Sequence, residues 1–175
     1  MASSRFDSCQ FPSEEFVESA GAVLFRLSTR EGRRSCGETR QATALREVTE
    51  ETESPCRLLP INLRSRAPPA VEAEPSKDEP RLHIAICEPF TLQLRRLREH
   101  NIKHNIKLIW WFIAAVDEDV EPKDWGEEDS LTFSPVFCNY TGALERLTFQ
   151  MNRDMAKGAI NLVASTYEGA NLFSI

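Results

Sequence analysis

The run Leu108–Val116 (LIWWFIAAV) constrains the fold more than any other stretch, because it contains no charged residue and no polar alternation. It is far shorter than the roughly 20 residues needed to cross a bilayer, and it reads instead as a buried strand that begins at Lys107. A second apolar run, Ser19–Leu27 (SAGAVLFRL), reads the same way. Leu58–Ser65, His83–Leu94 with Pro89 at an edge or bulge, and Leu131–Phe137 supply further strands. Thr39 is placed to cap a helix that Ala42–Glu51 continues and Pro55 closes. Tyr140–Leu147 and Gln150–Tyr167 read as two more helices. In the second of these, Met151, Met155, Ile160 and Val163 form an apolar stripe. Strands flanked by helices that can cover them predict an α/β or α+β sandwich.

At 175 residues and 19.9 kDa the chain has the length of one domain, with a polar and flexible N-terminal segment over 1–15. Lys and Arg total 21 against 27 Asp and Glu, for a net charge of −6 and a pI near 5.2. That balance argues against a nucleic-acid coat or a polybasic membrane binder, so no DNA or membrane partner is expected and RNA is disfavoured. The five cysteines are irregularly spaced and form no CxxC pair. With no apolar leader at the N-terminus, they fit reduced thiols in a cytoplasmic protein, the nucleus remaining open. His83, His100 and His104 show no ligand spacing, and no GxGxxG, Walker loop or Ser-His-Asp signature is present. Ala67–Pro80, Arg95–Asn105 and Asp117–Asp129 read as connecting loops.

One stretch carries chemistry. Gly32-Arg33-Arg34-Ser35-Cys36-Gly37-Glu38 is followed, seven residues later, by Arg46-Glu47-Val48-Thr49-Glu50-Glu51. At about 100° per residue, Glu47, Glu50 and Glu51 fall within an arc of about 100°, and Leu45, Val48 and Thr52 occupy an adjoining face that packs inward. A Glu-rich turn taken alone is usually a solvated face. Three converging carboxylates repel one another, and a divalent cation among them relieves that repulsion; oxygen donors suit Mg²⁺ or Mn²⁺. Arg46, one turn before Glu50, can hold that carboxylate through an i, i+4 ion pair. Arg33 and Arg34 are candidate phosphate contacts, with Arg64 and Arg66 weaker ones. Trp110 and Trp111 alternate across their strand, so one faces the core and the other can stack a base or sugar.

The whole spacing resembles the Nudix box: Gly32, Glu38, Arg46, Glu47, Val48, Glu50 and Glu51 all fall in its register. The opening Ser-Ala-Gly-Ala-Val-Leu-Phe strand, the Leu-Ile-Trp-Trp-Phe strand and the final helices extend the resemblance over about residues 16–170. Cys36 in place of Pro before Gly37, together with the Ala-Pro-Pro loop, resembles a fungal branch. The resemblance implies an α/β/α sandwich with a mixed sheet, and hydrolysis of a diphosphate linkage in a small phosphorylated substrate. Nucleoside diphosphate derivatives and diphosphoinositol polyphosphates both fit. It implies Mg²⁺ or Mn²⁺ held by Glu47, Glu50 and Glu51, a water oriented or deprotonated by Glu50 or Glu51, Arg46 as orienter, and a mainly structural Glu38.

Two positions depart from the box. Glu53 and Ser54 stand where it carries Gly and an aliphatic residue. Only Ser28–Glu31 separate Leu27 from Gly32, and four residues reach at most about 14 Å, too little for a turn and a strand. The expectation is a domain missing one strand before the box, with an exposed sheet edge. That loss makes a catalytically impaired Nudix module, binding a phosphorylated ligand or a protein partner, the alternative to an active hydrolase.

Overall fold

The computed structural model describes residues 11–25, 29–52, 54–68, 78–96, 106–116 and 138–167. The chain runs β1 (Phe16–Phe25), β2 (Thr29–Arg33), α1 (Arg40–Thr52), β3 (Cys56–Leu58), β4 (Ile61–Ser65), β5 (Arg81–Ile86), β6 (Thr91–Arg96), β7 (Ile106–Val116), α2 (Tyr140–Arg146) and α3 (Gln150–Thr166). The apolar run that dominates the sequence lies at the centre as β7. β1 pairs with it in parallel from Phe16↔Ile106 to Phe25↔Ala115. Its other edge is shared end to end by two antiparallel strands, β6 along its first half and β3 at its far end. β2 completes this mixed five-stranded sheet beside β1, and β4 and β5 form a separate antiparallel pair. The fold is α+β.

Alternation along β1 and β7 divides the core. Ala20, Ala22, Leu24, Phe112, Ala114 and Val116 face α1 through its Ala44 and Val48. Val23 and Ile113 face the other way, onto Ala159 and Val163 of α3 and onto Leu59, Ile61 and Leu63. β1 and β7 are therefore covered by helices on both faces, which is why their sequences show runs rather than alternation.

The missing-strand expectation is wrong. Thr29–Arg33 forms β2, antiparallel to β1 from Ser19↔Arg33 to Val23↔Thr29. Four residues are too few only if the whole apolar run to Leu27 is strand and the box is loop. In fact β1 ends at Phe25, and β2 runs on through Gly32 and Arg33, so the hairpin partner is built partly from box residues. The edge of β1 is filled.

Other boundaries shift for local reasons. The strand read over Leu58–Ser65 divides at Leu59-Pro60: the Leu59 amide makes the last bond to β7, donating to the Ile113 carbonyl at 2.9 Å, and Pro60 has no N–H to continue. His83–Leu94 likewise divides into β5 and β6 around Pro89. The apolar stripe of α3 is Ala156, Ala159 and Val163, whereas Met151 is 62% exposed. The strand read over Leu131–Phe137, the acidic Asp117–Asp129 and much of the Pro-rich loop lie outside the described residues. Among the described residues, no helix is long and apolar enough to cross a membrane.

Candidate functional site

α1 begins where the sequence directs it. Thr39 Oγ1 accepts the Ala42 amide at 3.1 Å, and the Thr39 carbonyl accepts the Thr43 amide and hydroxyl, both at 3.0 Å. Thr43, Ala44, Val48 and Thr52 are buried against the sheet. That leaves Arg46, Glu47 and Glu50 along the flank that meets the end of β2, where Arg46 reaches the Arg33 carbonyl.

The loop leading into α1 folds around one glycine. The Glu38 amide donates to the Ser35 carbonyl at 3.2 Å, closing a turn whose third residue, Gly37, has a φ of +80°. The Glu38 side chain ties the turn back, accepting the Ser35 amide at 3.1 Å on Oε2. Arg34 Nη1 donates to the Glu38 carbonyl at 2.9 Å.

Arg46 joins this turn to the helix. Its Nε donates to Glu38 Oε1 at 3.0 Å and Nη2 to Glu38 Oε2 at 3.4 Å. On the other side, Nη1 donates to Glu47 Oε1 at 2.6 Å and to Glu50 Oε2 at 3.1 Å. Nη2 also reaches the Arg33 carbonyl at 3.3 Å. The bonds from Arg46 and from the Ser35 amide hold the Glu38 carboxyl down at about 2, and Glu38 and Glu47 raise Arg46 above its ordinary value. The expected i, i+4 pair between Arg46 and Glu50 is present, within a larger network than the spacing alone indicated.

Glu51 is half-buried, with its Oε2 shielded from solvent. Among the described residues, no three His, Cys, Asp or Glu side chains lie close enough, as arranged, to hold a metal ion. The donor chemistry nevertheless fits a hard divalent cation. Arg46 engages one oxygen of Glu47 and one of Glu50, and the second oxygen of each makes no hydrogen bond among the described residues.

The two adjacent arginines separate. Arg33 is exposed, with its backbone held by Arg46. Arg34 is committed, with Nε and Nη2 each 3.0 Å from Glu18 Oε2. Arg64 donates to the Pro80 carbonyl at 3.2 Å and Arg66 stands 3.7 Å from Asp78, both in the region of the β4–β5 pair and away from this network. Trp111 is buried, with Nε1 donating to Gln93 Oε1 at 3.3 Å, and it helps line an open cleft of about 650 Å³ between β6 and α3. His83 is half-buried on β5, while His100 and His104 lie outside the described residues.

Sequence reasoning missed Glu18 and Arg40. Glu18 accepts Arg34, Arg40 Nη2 at 2.6 Å and Trp110 Nε1 at 3.2 Å. Burial pushes its carboxyl up, but the hydrogen bonds from Arg40 and Trp110 and the charges of Arg40 and Arg34 together outweigh this and leave it below the usual carboxylate range. The available signal was a lone charge at the start of an otherwise apolar strand.

The chain matches no family model and no curated protein.

Proposed function

We propose that the chain is a Nudix-type hydrolase that cleaves a diphosphate linkage in a small phosphorylated substrate, using Mg²⁺ or Mn²⁺ held by Glu47, Glu50 and Glu51. The observation that carries this reading is the joining of Glu38, Glu47 and Glu50 by the single guanidinium of Arg46. A solvated Glu-rich face has no need of a folded turn that delivers a fourth carboxylate to its arginine. The spacing from Glu38 to Arg46 and on to Glu50 puts all three carboxylates within reach of that one guanidinium.

The chain's own residues divide the work. Glu38 holds Arg46, and Arg46 fixes the rotamers of Glu47 and Glu50 against their mutual repulsion. Glu50, whose side chain is 58% exposed, is the carboxylate best placed to orient a water or take its proton, with Glu51 as the other candidate. Arg33, exposed beside the carboxylates, contacts a phosphate, and Arg34 positions the loop. The cation supplies charge stabilisation at the bridging and leaving oxygens when bound. A cytoplasmic location accords with this reading.

The test is a Mg²⁺-dependent hydrolysis screen of purified protein over a panel of organic diphosphates, repeated with Glu47→Gln, Glu50→Gln and Glu51→Gln. Hydrolysis lost in these variants supports the reading. Binding of a diphosphate without turnover favours the alternative of a binding module. Wild-type rates in all three variants exclude the mechanism.

A further inference from the structure

The α1 side of the sheet extends beyond the helix that covers it. The residues buried under α1 lie toward the far ends of β1 and β7. One row before them, Trp110 is only partly buried, and its cross-strand neighbour on β6, Leu92, is 49% exposed, with Leu94 in the next row 47% exposed. The result is an apolar strip with an aromatic ring at its inner end, just past the first residue of α1.

The ring is already used as a stacking surface. The Arg40 guanidinium lies over it, 4.1 Å from the centroid, while the Arg40 side chain remains 45% exposed. The indole Nε1 is fastened to Glu18, which fixes the plane of the ring without a ligand. Arg40 has a second anchor in the same carboxylate, so it can leave the ring without losing its ion pair. The position along the helix is also suitable. Arg40 and Glu47 are seven residues apart, which is two turns and about 10 Å of rise, so both lie on one side of α1. A ribose and its phosphates span a separation of that order.

We infer that Trp110, continued by Leu92, is the stacking platform for a planar aromatic ring on the substrate, and that Arg40 holds the place of that ring until the ligand displaces it. This rests on the hydrolase reading above and narrows its substrates to those that carry a base. Base–aromatic stacking is sequence-tolerant and worth about 5- to 150-fold in affinity. Arg33 and the displaced Arg40 supply positive charge toward the phosphates.

Equilibrium titrations of the full chain in Mg²⁺ with AMP, adenosine and inorganic phosphate test this, since none of the three contains a diphosphate linkage to be consumed. AMP is expected to bind about tenfold or more tighter than phosphate. Trp110→Leu should remove that margin while leaving phosphate affinity and the melting temperature close to wild type. Arg40→Ala should raise adenosine affinity several-fold by uncovering the ring, and it decides the matter if Trp110→Leu fails to fold. AMP binding no tighter than phosphate, a margin that survives Trp110→Leu, adenosine affinity unchanged in Arg40→Ala, or no binding by any probe overturns the platform. Hydrolysis of base-free diphosphates alongside a flat AMP result overturns the platform and leaves the hydrolase; the AMP pattern without any diphosphate hydrolysis does the reverse.

Discussion

Replacing Gly37 by Ala isolates the conformational demand of the loop that feeds the site. Gly37 sits at a φ of +80°, and a Cβ placed there would meet no atom within 4 Å. The cost therefore contains no steric clash with neighbours and comes from the backbone alone. A left-handed conformation costs an L-residue about 1–2 kcal/mol. Ala also lowers the entropy of the unfolded chain, which returns about 0.4–1 kcal/mol. The net loss is about 1 kcal/mol, which for a chain of this length corresponds to about 2–4 °C in melting temperature. Asn tolerates the left-handed region, so Gly37→Asn should lie between Ala and wild type.

Urea denaturation followed by tryptophan fluorescence measures this directly, because the midpoint should fall with little change in slope. Two results would refute the reasoning. If Ala is as stable as Gly, the turn does not require the positive φ. If Ala costs more than about 3 kcal/mol, the open space beside Gly37 is filled in the native protein. A fall in hydrolysis in Ala but not in Asn would show that the turn's geometry reaches Arg46 through Glu38.

Three further outcomes follow from the same geometry. Glu38 has its carboxyl lowered from 4.5 to about 2, so the stability it contributes is complete above pH 4.5 and is lost as pH falls through that window toward 2; urea midpoints against pH should show a slope there that Glu38→Gln flattens. For the proposed activity, Glu50→Gln should cost on the order of a hundredfold in turnover with circular dichroism unchanged, and wild-type turnover would remove Glu50 from the mechanism. A strand-length insert after Thr29 should lower the melting temperature, because it interrupts β2, which already pairs with β1 from Thr29 to Arg33; a clear rise would mean that this pairing is a poor substitute for a fuller strand.

The parts legible in the sequence are those where one physical cause acts alone. β7 was visible because burial on both faces removes every polar residue from the run. α1 was visible because Thr39 caps it and the carboxylates follow a 3.6-residue period. β2 was not legible, because strand ends were judged from where apolar residues stop. Hydrogen bonding sets the register instead, and it pairs β1 up to Phe25 while taking Gly32 and Arg33 into β2. The packed face of α3 was legible only in part: Val163 is buried and Met155 packs beside it as expected, while Met151 is exposed. Hydropathy favours Met151, but a helix lying against a sheet selects for small volume, and Ala156 and Ala159 are fully buried where a methionine would hold the helix away.

Arg33 and Arg34 show what one sequence cannot separate. The two are chemically identical, and loop arginines are ordinarily solvated. Their difference comes from Glu18, sixteen residues before Arg34, whose burial beside Trp110 must be offset by cations. Arg34 and Arg40 provide that offset, and Arg34 then reaches the Glu38 carbonyl from the same anchored position. The loop before α1 is thus fastened twice, through Arg34 to a carboxylate on β1 and through Glu38 to the guanidinium on α1. Each fastening uses a buried or half-buried charge that is stable only while its partners stay in place. The exposed Arg33 lies between the two, its carbonyl held by Arg46 and its side chain open to solvent, so of these two adjacent arginines only Arg33 keeps a guanidinium that the loop's fastening does not use.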